Sequence, residues 1–284
     1  MEPVVHLRGA VCLVGRFPAL AGVDLDVGAG EIVLLQGPNG AGKTTVLRAC
    51  AGLVPVVAGQ AVVLGVDLRA DRRAVRNRVG LLGHTSGLYA DLSVADNVRF
   101  WARAGRARHA DAEAAMTRLG LDGRLADVAV ARLSAGQRRR TALAVMVARR
   151  PELWLLDEPH AALDQDGRDL VDSLMADAVA AGATVVFASH ERGRATAIAH
   201  RTVAIAGGTV AGSGSGTGAV DRAGRTLAGT QPGAPSADSA ARDAADRLEN
   251  RQDGCDPATD PAAGHVDVTN DLRPAAGAIR GGAR

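Results

Sequence analysis

Gly37-Pro38-Asn39-Gly40-Ala41-Gly42-Lys43-Thr44-Thr45 is the stretch that decides the fold. It satisfies the pattern GxxxxGK[ST] through Gly37, Gly42, Lys43 and Thr44, and it lies between the apolar run Ile32 to Leu35 and the segment VLRACAGL. A strand that ends in a glycine-rich loop and hands over to a helix turns successive backbone N–H groups toward one point, where the positive end of the helix dipole adds to them. That geometry cradles a polyphosphate. Lys43 is expected to reach the β- and γ-phosphates and the Thr44 hydroxyl to ligand Mg²⁺, while the glycines let the backbone approach more closely than any Cβ would permit.

The composition isolates the same residue. Lysine and arginine together number 33, and Lys43 is the only lysine among them. A genome that favours Arg, Ala and Gly codons explains the bias but not the exception. An ammonium is a compact point charge that fits between phosphates, whereas a planar guanidinium does not. The 33 basic residues face 31 acidic ones, a net charge of +2, which gives no electrostatic case for nucleic acid as a partner. The length and the 47% hydrophobic content suit one full core and at most a small second one.

No apolar run approaches the roughly 20 residues of a membrane-spanning helix, and the first residues, MEPVVHLRGA, lack the features of a signal peptide, so the chain is expected in the cytoplasm. Cys12, Cys50 and Cys255 are far apart and odd in number, which suggests neither a disulfide framework nor a zinc site.

Outward from the loop, residues 4–35 alternate apolar runs with small turn segments, as short strands of an antiparallel layer would. GQAVVLGVDL reads as another hairpin, the arginine-rich residues 72–79 as a solvated turn or short helix, and VGLLGH as a core strand. From about Leu88 to Leu133 the pattern is helical, with Ser93 and Asp96 spaced as a capping box, and this predicts an inserted helical lobe. LSAGQRRR and a helix through Ala148, the strand LWLLDEP, a helix from Asp164 to Ala181, the strand TVVFASH, and a last helix and hairpin to about Gly212 complete the pattern. Strands apolar on both faces, alternating with helices, indicate a parallel sheet covered on both sides. The domain is thus expected over 1–212, and residues 213–284, poor in large apolar side chains, read as a disordered tail with at most weak helicity near 237–251.

Asp157 ends an apolar strand, where an unpaired carboxylate is costly, so it calls for a cation: Mg²⁺ on a nucleotide, or a structural salt bridge. LSAGQ at Leu133 to Gln137 is on spacing alone an ordinary capped helix start. Taken in order with the P-loop, these segments resemble the ATP-binding-cassette (ABC) ATPases: LSAGQ the signature LSGGQ with Ala135 for one glycine, LWLLDEP the Walker B segment, Ala161 to Asp164 the D-loop, and ASH ending at His190 the switch histidine. The resemblance covers roughly residues 4–212. It implies an α/β P-loop NTPase fold of the ABC type with an N-terminal antiparallel β layer and an inserted helical subdomain.

It also implies ATP and Mg²⁺ as cofactors, with Asp157 and Thr44 on the metal, Glu158 orienting the attacking water, and His190 and Lys43 on the γ-phosphate. Two copies are expected to pair head to tail, so that Ser134, Gly136 and Gln137 of one close over the nucleotide of the other and Asp164 lies at their interface. Separate membrane-spanning permease subunits and a place on the cytoplasmic face of the membrane follow from the same resemblance.

Two positions depart from the family. The adenine-stacking aromatic aligns with Val14, with Phe17 nearby, and the Q-loop glutamine is replaced by His84. "GH" at 83–84, the helix NVRF, LSAGQ and Asp164 to Gly167 together resemble the ATP-binding subunit of the haem exporter used in cytochrome c maturation. The alternatives are an ABC exporter of another cargo, a drug or a lipid, and a non-transport ABC ATPase, which typically needs two cassettes or a long coiled coil.

Overall fold

The computed structural model describes residues 2–215. Two sheets and seven helices are built from strands β1 (Val5–Val14), β2 (Phe17–Val27), β3 (Ile32–Gln36), β4 (Ala58–Val63), β5 (Val66–Asp67), β6 (Val79–Leu82), β7 (Leu153–Asp157), β8 (Thr184–Ala188), β9 (Arg201–Ala206) and β10 (Thr209–Ser215). The helices are α1 (Lys43–Cys50), α2 (Leu68–Asp71), α3 (Val94–Ala104), α4 (His109–Arg118), α5 (Ala135–Arg149), α6 (Gln165–Ala180) and α7 (Arg192–Ile198).

The central sheet has the order β10-β9-β3-β8-β7-β6, and only β10, at its edge, runs antiparallel to its neighbour. The middles of β3, β7 and β8 are continuous apolar runs because both faces are covered. On one face Ile32, Leu34, Trp154, Leu156, Val185 and Phe187 pack against α3 to α6. On the other, Val33, Leu35, Leu153, Leu155, Val186 and Ala188 pack against α1 and the antiparallel sheet β2-β1-β4-β5. Successive side chains of a strand point to opposite faces, so one five-residue strand feeds two cores. The expected antiparallel layer is therefore the roof of the second core.

α3 and α4 pack on each other and on α5, as one helical lobe. Ser93 caps α3 by accepting from the Asp96 amide at 3.1 Å and donating to its carboxylate at 2.7 Å, an N-cap in which that carboxylate bonds the hydroxyl instead of the Ser93 amide that a full capping box uses. Asn97, fully buried one turn on, accepts from the Tyr89 amide and donates to the carbonyls of Tyr89, Leu92 and Ser93, which fixes the loop leading into the lobe.

The arginine-rich segment is a largely exposed turn, as its composition indicates, anchored at two buried valines. Val75 is fully buried, and Arg72, Arg76 and Arg78 donate to the carbonyls of Gly52, Leu53 and Leu64. The guanidinium groups of Arg72 and Arg76 cap the turn after α1, and that of Arg78 caps the turn between β4 and β5. β9 and β10 are joined at Gly207 and Gly208, both at positive φ, as a tight hairpin between right-twisted strands requires. β10 continues past Gly212 to Ser215, and the expected disordered tail, with its weakly helical segment, lies outside the described residues. No helix among the described residues is long and apolar enough to cross a membrane.

Candidate functional site

Three adjacent parallel strands, β3, β8 and β7, end at one edge of the central sheet, and beyond the carboxyl ends of parallel strands lies the usual place for a ligand. β3 delivers the loop 37–42, β7 delivers Asp157 and Glu158, and β8 delivers His190; β6, the next strand, leads to His84. Asn39 to Thr45, His84, Asp157, Glu158, His190 and Ala19 of β2 line a single cleft of about 430 Å³.

The loop is shaped by its glycines. Gly37 has φ 151°, and a Cβ there would lie 2.0 Å from the carbonyl oxygen of Ile205. Gly42, the N-cap of α1, has φ 108°, and a Cβ would come within 2.9 Å of the Ala19 carbonyl oxygen. No side chain fits at either position. Lys43 opens α1 with only 7% of its surface exposed, and its Nζ donates to the carbonyls of Gly37 at 2.8 Å and Pro38 at 3.0 Å. The ammonium is thereby held over the loop.

Thr44 Oγ1 donates to Asp157 Oδ2 at 2.8 Å, and Asp157 is 4% exposed. Two hard oxygen donors at the foot of a phosphate cradle suit Mg²⁺, which is held by one or two protein oxygens plus substrate phosphates. Among the described residues no cluster of three or more His, Cys, Asp or Glu side chains could hold a metal ion without such help. His84 Nε2 lies 3.9 Å from Asp157 Oδ2, so the residue that replaces the family's glutamine faces the same carboxylate.

Glu158 adopts φ 51°, a left-handed conformation that costs a residue with a side chain roughly 1–2 kcal/mol and persists only where neighbours fix it. Its amide donates to the Ala188 carbonyl at 2.9 Å. Its carboxylate accepts from the His190 amide at 3.2 Å and stands 3.4 Å from His190 Nε2.

The signature residues lie elsewhere. Ser134, Gly136 and Gln137 line a separate recess with Asp164, and none of them borders the cleft of Lys43. Ser134 caps α5 in a reciprocal box: its Oγ accepts from the Gln137 amide at 3.1 Å, and Gln137 Oε1 accepts from the Ser134 amide at 2.9 Å. Asp164 caps α6, and the Gly167 amide together with the Arg140 guanidinium holds its carboxyl below the usual carboxylate range. Val14 and Phe17 close the β1–β2 hairpin at 59% and 80% exposure and do not border the cleft. Cys12 and Cys50 are buried, and burial pushes their thiols up to about 11 and about 12.

Two residues had no place in the reading of the motifs. His160, 1% exposed, bonds Asp172 of α6 at 2.7 Å, and Asp172 in turn accepts from Arg194 of α7. Arg139, in the arginine run after LSAGQ, reaches from α5 to the backbone around Glu158. The run itself was the only signal.

The fold and the cleft define a P-loop ATPase of the ABC type. The family model described as ABC transporter matches residues 20–161, and the chain belongs to that family as an ATP-binding subunit that hydrolyses ATP. It is 40% identical over 183 residues to the cytochrome c biogenesis ATP-binding export protein CcmA of Rhodopseudomonas palustris, covering 64% of this chain and 90% of that protein. It is 42% identical over 175 residues to the protein of the same name from Xanthomonas axonopodis pv. citri, covering 61% and 80%. Among solved structures, an ATP-binding cassette dimer in a post-hydrolysis state bound to ADP and Pi aligns with a TM-score of 0.67 at 24% identity, covering 75% of this chain and 99% of that one. An ATP-binding subunit of an ABC transporter aligns at 0.70 and 24%, covering 75% and 90%. At that identity the structures speak for the fold alone.

Proposed function

We propose that this chain is the motor subunit of an exporter serving cytochrome c biogenesis, with haem as the cargo. The relatives that match it over most of their length are named as ATP-binding export proteins of cytochrome c biogenesis, and haem as the cargo rests on the resemblance carried by the GH at 83–84. The observation that carries the enzymatic part is the meeting of Lys43, Thr44, Asp157, Glu158 and His190 in one cleft.

The amides of residues 37–45 and Lys43 bind the triphosphate and draw charge off it. Thr44 and Asp157 would hold Mg²⁺, which would supply further neutralisation of the phosphates. Glu158 orients the attacking water and takes its proton, and His190, beside that carboxylate, contacts the γ-phosphate. Little else is needed, since phosphoryl transfer asks mainly for positioning and electrostatic stabilisation. Ser134, Gly136 and Gln137 serve a second copy: they lie at the start of a 15-residue helix, outside their own cleft, and are available to an anion brought by a partner. The functional unit is a head-to-tail homodimer with two interfacial sites.

Membrane-spanning subunits complete the transporter and hold the motor at the cytoplasmic face of the membrane. In support, three of the chain's six aromatic residues, Tyr89, Phe100 and Trp101, form one cluster at the loop that begins at His84. Tyr89 and Phe100 are 44% and 45% exposed, an arrangement common at protein interfaces.

In a strain lacking this chain, assembly of c-type cytochromes should fail and be restored by the wild-type sequence but not by E158Q. Normal cytochrome assembly without the chain would refute the assigned cargo. In vitro, E158Q should lower turnover about 10³-fold or more while ATP binding stays within about twofold, because only the transition state loses a group. Undiminished turnover would remove Glu158 from its role.

A further inference from the structure

Arg139 stands on the first turns of α5, directly after the signature residues, yet its guanidinium points across to the strand end that carries Glu158. Nη1 donates to the carbonyl of Gly83 at 2.8 Å, Nη2 to the carbonyls of Asp157 at 2.6 Å and Glu158 at 2.5 Å, and Nε to that of Pro159 at 3.4 Å. Among the described residues no carboxylate pairs with it in an ion pair. Burying a cation is expensive, and burial pulls this guanidinium down from its ordinary value, against the opposing charges of Asp157 and Glu158. Besides those charges, what offsets the cost is a fan of carbonyl dipoles that a planar group with five donors can meet and an ammonium cannot.

The carbonyls it gathers are those of the strained loop. Glu158 sits at φ 51°, and three contacts from outside the loop fix it: its amide donates to the Ala188 carbonyl of β8, its carboxylate accepts from the His190 amide, and its carbonyl accepts from Arg139. Of the three, only Arg139 comes from the helix that begins at Ser134. The fourth carbonyl, Gly83, precedes His84, so one guanidinium joins signature helix, base-bearing loop and His84 loop.

We propose that Arg139 is a positioning residue for hydrolysis: it locks the left-handed Glu158 peptide and thereby makes the aim of that carboxylate depend on how the signature helix of the same protomer is seated. The proposal rests on the reading of Glu158 as the base. It assigns a task to the second arginine after LSAGQ that is distinct from those of its neighbours: Arg138 donates to Leu133 at the helix start and Arg140 pairs with Asp164.

The test uses the full chain with R139K and R139Q. Lysine keeps the charge and the aliphatic stem, so the variant folds, but it cannot span four carbonyls. Single-turnover hydrolysis at saturating ATP should fall about 10²-fold in R139Q, the cost of misplacing a reacting group by about an ångström, and about tenfold in R139K. ATP affinity should stay within about twofold in both, since neither the loop 37–45 nor Lys43 touches Arg139. Amide exchange of the segment 157–163 should quicken in R139K while that of β8 and α3 is unchanged, a readout that does not depend on which group is the base. R139K with wild-type turnover and wild-type exchange would overturn the proposal, and so would a loss of ATP binding in parallel with turnover. If instead E158Q still hydrolyses ATP while R139K loosens 157–163, the identity of the base fails and the clamp stands.

Discussion

Lys43 is held in a slot shaped for a small cation, with 7% of its surface exposed and two loop carbonyls within 3.0 Å. K43R should therefore cost at least about 10²-fold in turnover and weaken ATP binding, measurable by hydrolysis rate and nucleotide titration, although net charge is unchanged. Wild-type kinetics in K43R would mean that charge alone is required. The residues that were legible in the sequence are those whose chemistry depends on local spacing: Lys43 and Thr44 at fixed offsets in one loop, and Asp157 and Glu158 at the end of one apolar strand. Arg139 and His160 were not legible. Their partners are backbone carbonyls 18 to 56 positions away and Asp172 on another helix, contacts set by packing that leave no periodic trace.

At the level of elements, the start of α5 separates two small residues that look alike in the motif. Ala135 is the first residue of the helix, and its methyl group is accommodated there with helical backbone. Gly136 is different: a Cβ on it would lie 2.9 Å from the Ala162 carbonyl oxygen, in a loop where Ala162 itself has φ 64°. A135G should lower stability by no more than about 1 kcal/mol. G136A should cost about 1–3 kcal/mol through overpacking and reduce turnover further by shifting the loop that leads to Asp164. Thermal unfolding and hydrolysis of the two variants check this, and equal behaviour would contradict it. Short continuous apolar runs at β3, β7 and β8, and caps at Ser93, Ser134 and Asp164, made these elements readable. The segment 72–79 is the solvated turn its composition indicates, with Arg73 and Arg76 exposed; what the arginine count could not show is that the guanidinium groups also cap carbonyls above a buried Val75.

For the molecule as a whole, one sheet divides two cores, and its edge carries the entire P-loop cleft while the signature recess opens separately. A chain ending after Ser215 should retain ATPase activity within about twofold, because both cores and every site residue named above lie before that point; loss of folding in that truncation would show that later residues are structural. On the reading proposed above, the two recesses of one protomer are half-sites completed by a second copy. The most direct measurement is the solution mass of E158Q with Mg-ATP, by light scattering after gel filtration. Pairing predicts a doubling of mass that requires ATP and that S134R abolishes without loss of ATP binding. A protein that stays at the monomer mass with ATP bound, or a doubling that S134R leaves intact, would contradict it.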